Sequence, residues 1–232
     1  MTPATPRASP ATSRVLNRFT KLMQVALLAG AMAGGVQFAL QHAFVRPIIA
    51  EAERYEAAAD GEHAAPADND LQRTALTALA TIIGAIGFAA LLFGIASILE
   101  IPLNISRGLL LGLVGFACVV VAPALGLPAE PPGVDAGDLQ ARQLWWLGTA
   151  VATGGGIWLL MRTARAWWWG AAATLLIALP HLIGAPASDG AAIVPDELIR
   201  RFQVASIATN AVFWLLVGMV GGWLTSRQQR QP

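Results

Sequence analysis

Charge is scarce in this chain. Asp, Glu, Lys and Arg make up only 12% of its 232 residues, about half the share found in an average soluble domain. Hydrophobic residues make up 56%, and a body of this size has too little interior to hide them all from water. An ordinary soluble domain is therefore excluded. A disordered chain is excluded too, because disorder requires low hydrophobicity and high net charge, and the net charge here is +1.

Cysteine and catalytic motifs are also lacking. Cys118 is the single cysteine, so neither an intrachain disulfide nor a site of several thiolates can form. The glycine run 154–156 lacks the Lys-Ser/Thr of a phosphate-binding loop, and no His-Glu pair has zinc-helix spacing. Neither Ser97 nor Ser206 lies in a Gly-x-Ser-x-Gly context. We expect neither an enzyme, nor a resident cofactor, nor a nucleic-acid partner.

Long apolar runs dominate the rest of the sequence. A helix rises 1.5 Å per residue and needs about 20 apolar residues to cross the bilayer core. Six runs qualify, none with a charge in its interior: roughly 22–45, 75–99, 108–127, 143–161, 166–183 and 204–224. The sequence therefore predicts an all-α fold, a polytopic membrane helix bundle over residues 21–226 with about six transmembrane helices.

Basic residues indicate the orientation, because Lys and Arg concentrate in cytoplasmic loops. Placing both termini inside puts nine of them in the cytoplasm and six outside. Of the 14 acidic residues, 13 then fall in three outer connections, 46–73, 128–142 and 184–202, and only Glu100 lies inside. We expect a multi-pass protein with cytoplasmic termini and an acidic outer face.

The N-terminus has two interpretations. Residues 1–20 are rich in Pro, Thr, Ser and Ala and are predicted to form a disordered cytoplasmic tail. Alternatively, the basic residues, the apolar run and the triplet Ala31-Met32-Ala33 resemble a signal peptide with its cleavage site. Cleavage would leave five spans and an outer N-terminus.

Small and polar residues inside the runs predict how the helices pack. Small residues four apart allow close helix approach, and three such motifs occur: Gly30-x-x-x-Gly34, Gly108-x-x-x-Gly112 and Gly218-x-x-x-Gly222. Uncharged polar residues predict interhelical hydrogen bonds or, alternatively, the lining of a pathway: Gln37, Gln41, Thr209 and Asn210.

Candidate metal ligands gather on the predicted outer side. All three histidines, His42, His63 and His181, lie there. Pro47 suits a helix N-terminus, and the stretch 48–60 that follows is a good helix former, on which Glu53 and Glu56 share a face. Carboxylates and imidazoles suit divalent first-row metals such as Co²⁺ or Ni²⁺. The alternative interpretation is a solvated acidic surface helix.

Several segments together resemble one family. They are 122–150 (APALGLPAEPPGVDAGDLQARQLWWLGTA), 52–56 (AERYE), 65–74 (APADNDLQRT), 180–186 (PHLIGAP) and the pair Phe213-Trp214. In this order they resemble the CbtA family of predicted cobalt transporter subunits. The resemblance implies a bacterial inner-membrane protein that takes up cobalt for cobalamin synthesis and pairs with a small single-span CbtB protein.

Carried over by position, the family motifs include Glu53, Glu56 and His181, whereas His42 and His63 come from the topology. Family members often have a histidine cluster in the first outer loop, where this chain has only His63, and the family is usually described with five spans. We expect a Co²⁺ permease subunit driven by membrane potential, since the spans lack the carboxylate that a proton relay needs. The alternative is a non-transporting scaffold or regulatory subunit.

Overall fold

The computed structural model describes residues 10–60, 70–135, 137–162, 167–186 and 192–230. These residues contain no strand, which confirms the all-α class. The helices are α1 (Pro10–Leu40), α2 (Arg46–Asp60), α3 (Asp70–Ile98), α4 (Ile105–Phe116), α5 (Ala122–Ala124), α6 (Leu139–Arg162), α7 (Trp167–Ile183) and α8 (Asp196–Gln229). Two π-helical turns, Gln41–Val45 and Ala117–Val121, join α1 to α2 and α4 to α5.

Five helical segments of the described chain are long and apolar enough to cross a membrane: Leu16–Ala59, Leu71–Ile98, Ile105–Ala124, Leu139–Arg162 and Asp196–Gln229. The remaining predicted run, 166–183, forms α7, an apolar helix of 17 residues. At 1.5 Å per residue α7 is about 26 Å long, slightly shorter than the hydrocarbon core of about 30 Å.

The first helical segment is longer than the sequence indicated. The helix already includes residues 10–20, which composition assigned to a disordered tail; residues 1–9 lie outside the described residues. Proline is tolerated in a first helical turn, and the Ala, Arg, Leu and Lys that follow favour helix. The segment Leu16–Ala59 has 44 residues, about 66 Å of helix, so α2 extends well beyond a bilayer core.

Two prolines, Pro47 and Pro123, lie just after the π turns. Pro47 and Pro123 lack the backbone N–H that a regular turn requires. In each case the preceding turn widens: the Arg46 N–H donates to the Gln41 carbonyl and the Ala122 N–H to the Ala117 carbonyl. The helix axis therefore continues past each proline, and the predicted start of a separate helix at Pro47 is a wide turn within a continuous helix.

The helices pack in the order α3, α1, α8, α4, with α6 against the π turn after α4 and α7 against α6. The glycine motifs make the contacts between the central helices. A Cβ on Gly108 would collide with the backbone of Gly218, and a Cβ on Gly112 with the carbonyl of Trp214. Gly30 likewise lies against the backbone of α3 at Ile86. The predicted packing role of these glycines is confirmed.

Two apolar clusters hold the bundle together. The larger one joins α1, α3 and α8 through buried side chains that include Phe93, Trp214 and Val217. The smaller one lies at the α2 end, where Ile48 and Ala52 pack against Val194 and Leu198. The smaller cluster fixes α2 against the start of α8 and thereby positions the acidic residues of α2.

Candidate functional site

The acidic face of α2 is engaged by other parts of the chain. The Glu56 carboxylate accepts a hydrogen bond of 2.9 Å from the Gly133 N–H. Gly133 has φ +83°, a conformation that favours glycine, and its carbonyl accepts the Ile193 N–H at 2.9 Å. Glu56 thus ties α2 to the connection between α5 and α6, which is a structural role in addition to its predicted role as a ligand.

Arginines pair with the other carboxylates at this end. Arg73 donates to Glu53 at 2.6 Å, in an exposed pair. Arg142 and Glu130 are 2.7 Å apart, with side chains only 17% and 18% exposed. Counting acidic residues along the sequence missed these pairs, because the partners come from different segments of the chain.

The histidines lie in separate places. His42, in the first π turn, is exposed, 3.4 Å from Arg46 Nη1 and 5.7 Å from the Phe38 ring. His181, near the end of α7, is half-buried, and its ring is edge-on to Trp145 at 5.7 Å. His63 lies outside the described residues.

The predicted ligands do not form a ready-made cluster in the part of the chain that the structure describes. No group of three or more His, Cys, Asp or Glu side chains is placed there to hold a metal ion. Glu53 and Glu56 share one helix, His42 lies just before it and His181 is on α7. The sequence therefore located groups of suitable chemistry at one end of the bundle without predicting their partners.

A cavity of about 430 Å³ lies among the helices next to this end. The two π turns face it with Gln41 on one side and Val119 and Val120 on the other. Its polar lining, contributed by α1, the first π turn, α3 and α8, consists of Gln37, Gln41, Thr81, Ser206 and Asn210, together with Trp146 of α6. It reaches Leu127 and Ala129 in the connection after α5.

Hydrogen bonds link α1 and α8 across this cavity. Gln37 Nε2 donates to Asn210 Oδ1 at 3.3 Å, and Asn210 Nδ2 donates to the Ser206 carbonyl at 2.9 Å. The predicted interhelical hydrogen bond is therefore confirmed for this pair, which also lines the cavity, whereas the lining of a pathway stays a prediction. Thr209 differs: it is buried and donates to the Ser206 carbonyl at 3.1 Å.

Comparison with known protein families shows which family the chain belongs to. The family model described as "Probable cobalt transporter subunit (CbtA)" matches residues 19–226. The chain belongs to the CbtA family. No curated protein and no solved structure showed significant similarity to it. The CbtA match runs from α1 to α8, so the cavity, the acidic helix and both π turns all fall within the family region.

The CbtA segment 122–150 includes a tryptophan pair that sequence reasoning missed as a structural feature. Trp146 Nε1 donates to the Val119 carbonyl at 3.2 Å, and Trp145 Nε1 donates to the Pro180 carbonyl at 3.2 Å. Val119 is four residues before Pro123, so its carbonyl lacks the usual helical donor. Successive residues of α6 thus attach it to the turn after α4 and to α7. The sequence did contain a signal for this contact: Pro123 follows Val119 by four residues, which predicts a carbonyl without its helical donor.

Proposed function

We propose that this chain is the inner-membrane subunit of a transporter that takes up Co²⁺ for cobalamin synthesis and captures the cation on its outer face. Both termini lie in the cytoplasm, and a small single-span CbtB-type protein is its partner. One observation carries the proposal beyond family membership: the acidic helix α2 and the polar intramembrane cavity lie at the same end of the bundle. The chain therefore combines groups that attract cations with a polar space in the membrane below them.

The energetics favour entry driven by membrane potential. Clustered carboxylates raise the local concentration of approaching cations. An inside-negative potential then supplies about 2.3 kcal/mol per charge per 100 mV, doubled for a divalent ion. The residues lining the cavity include no carboxylate, and proton relays normally use one. A facilitated route fits this lining better than proton coupling.

Capture requires the candidate ligands to exchange partners. Glu53 would leave Arg73, an exposed pair that costs little to break, and Glu56 would release the Gly133 N–H. His181 and His42 supply imidazole nitrogens near the same end, and His63, which follows α2 in the sequence, is a third candidate. We propose that Glu53 and His181 contact the cation first, because neither holds a loop in place as Glu56 does.

The test is uptake of radiolabelled Co²⁺ by cells that lack other cobalt uptake and express the chain with and without its partner. A Glu53→Gln/Glu56→Gln double variant and His181→Ala are compared at equal membrane level. In both variants we expect the cobalt concentration for half-maximal uptake to rise by about tenfold, because clustered charges change the local concentration of an approaching ion by about that factor. Glu197→Gln is the matched control, an exposed carboxylate on α8 paired with Arg200.

Three results would count against the proposal. Unchanged uptake in all the variants would remove these residues from the capture site and keep the transporter. Wild-type uptake by the partner alone, with this chain altering only its amount, would favour the scaffold or regulatory alternative. Absence of Co²⁺ uptake in every combination would overturn the proposed function.

A further inference from the structure

We propose that the cavity between the two π turns is the intramembrane binding site of the transported divalent cation, held with its inner water molecules by neutral oxygen groups. This inference rests on the proposed function and adds a site that capture at the outer face does not require. The cavity is defined by its polar lining, Gln37, Gln41, Thr81, Ser206 and Asn210.

Two of the polar side chains lack the partners that membrane helices normally provide. Thr77, Thr149, Thr174 and Thr225 each donate to the carbonyl four residues earlier. Thr81 lies one turn after Thr77 on α3, faces the cavity and makes no such bond among the described residues, and the same is true of the Gln41 side chain. Both side chains are half-buried and line the cavity, so water or a polar ligand in the cavity can supply the missing partners.

Two π turns contribute to the wall of the cavity. A π turn shifts the hydrogen-bond register of its helix, and such turns occur frequently at functional sites. Here two π turns from different helices face one space, with Gln41 inside one turn and Val119 and Val120 inside the other. Both widened turns of the described chain therefore border the same cavity.

The size and chemistry fit a hydrated divalent ion better than a bare one. Six waters at about 30 Å³ each occupy roughly 180 Å³, which the 430 Å³ cavity can contain. Neutral amide and hydroxyl oxygens replace a hydration shell poorly compared with carboxylates, but they hydrogen-bond well to coordinated water. The site therefore suits a cation that keeps its inner shell and passes on under the membrane potential.

The test is Co²⁺ uptake by the full chain with its partner, comparing wild type with Thr81→Val and with Gln41→Leu. Thr77→Val is the matched control, an exposed threonine on the same helix. We expect the maximal uptake rate to fall by about tenfold in each cavity variant, the effect of losing one hydrogen bond to a charged species. Thr77→Val should retain the wild-type rate.

Labelling provides a second measurement that is independent of transport. In a Cys118→Ala background, Thr81→Cys should react with a membrane-impermeant thiol reagent added outside, because the cavity reaches the connection after α5. An unreactive Thr81→Cys would show a closed, dry space and overturn the inference. Wild-type rates in both cavity variants would also overturn it while leaving the proposed function in place. A wild-type chain without uptake would overturn the proposed function and this inference with it.

Discussion

At the scale of single residues, Trp146 supplies a hydrogen-bond donor that the backbone at Pro123 lacks. Its indole N–H reaches the Val119 carbonyl at 3.2 Å, where a regular helix would use the N–H of residue 123. Helix-breaking residues are tolerated in a membrane helix where neighbouring groups or ordered water satisfy the freed carbonyl. Trp146 is such a neighbour, and it belongs to a different helix.

Replacement of Trp146 by Phe should destabilise the protein through that carbonyl. We expect Trp146→Phe to lower the free energy of unfolding by about 1–3 kcal/mol, the cost of a buried unsatisfied group. Pro123→Ala restores a backbone N–H at residue 123, so Trp146→Phe should cost about 1 kcal/mol less in that background. The measurement is a double-mutant cycle of melting temperatures in detergent, with wild type, both single variants and the double variant.

Equal losses in the two backgrounds would mean that Trp146 stabilises the bundle by packing alone. The comparison is informative because Phe keeps an aromatic ring at the position, so only the N–H and part of the ring area are lost. The cavity wall at Val119 would also shift in Trp146→Phe, and the uptake assay would detect this separately.

Residue partners were the part of the site that the sequence could not predict. Composition and spacing correctly placed Glu53 and Glu56 on one helix at one end of the bundle. They could not reveal that Glu56 binds the N–H of Gly133, 77 residues away, or that Arg73 pairs with Glu53. Such contacts depend on how helices are placed in three dimensions, whereas helical periodicity describes each helix separately.

At the scale of elements, α4 and α8 meet through glycines. Gly108 and Gly112 face the backbone of α8 at Gly218, Gly222 and Trp214, with no space for a methyl group between the helices. Lipid provides no hydrophobic drive for helix association, so close backbone contact is what stabilises such a pair. The motifs predicted this close packing but not which helices would pair.

Substitution of Gly112 by alanine should separate this helix pair. We expect Gly112→Ala to lower the free energy of unfolding by about 1–3 kcal/mol, because the added methyl overpacks a rigid backbone contact. Gly87→Ala on α3 is the control, since a Cβ there meets nothing within 4 Å, and alanine favours helix over glycine by about 0.5–1 kcal/mol. Melting temperatures of the two purified variants check both expectations; a stable Gly112→Ala would show that α4 and α8 can move apart without cost.

Helix boundaries show a second limit of the sequence. The six apolar runs correspond to the five long apolar helical segments and to the shorter apolar helix α7, because length and hydrophobicity are local properties. Pro47 indicated a new helix, yet the π turn before it carries the helix through. A π turn arises when neighbouring packing favours one extra residue in a turn, and the sequence near Pro47 and Pro123 contains no separate sign of that choice.

At the scale of the whole molecule, the two ends of the bundle differ in chemistry. The orientation in the membrane therefore decides which chemistry faces the outside. One end carries α2, the paired carboxylates and the opening of the cavity. The other end carries the α3–α4 connection and the end of α8. In the connection, Asn104 caps α4 by accepting a hydrogen bond of 2.9 Å from the Arg107 N–H. At the end of α8, the Arg227 side chain lies over the Trp223 ring, 4.3 Å from its centre. Uptake by the proposed route requires the α2 end to face outward.

Cysteine labelling in intact cells tests that orientation directly. In a Cys118→Ala background, Arg54→Cys on α2 should react with an impermeant maleimide, whereas Gln229→Cys at the end of α8 should react only after permeabilisation. Both positions are exposed in the structure, so a difference in reactivity reports the side of the membrane rather than burial. The reverse pattern would place the acidic helix in the cytoplasm. It would then remove outer capture as the role of Glu53 and His181, because both side chains would face the cytoplasm.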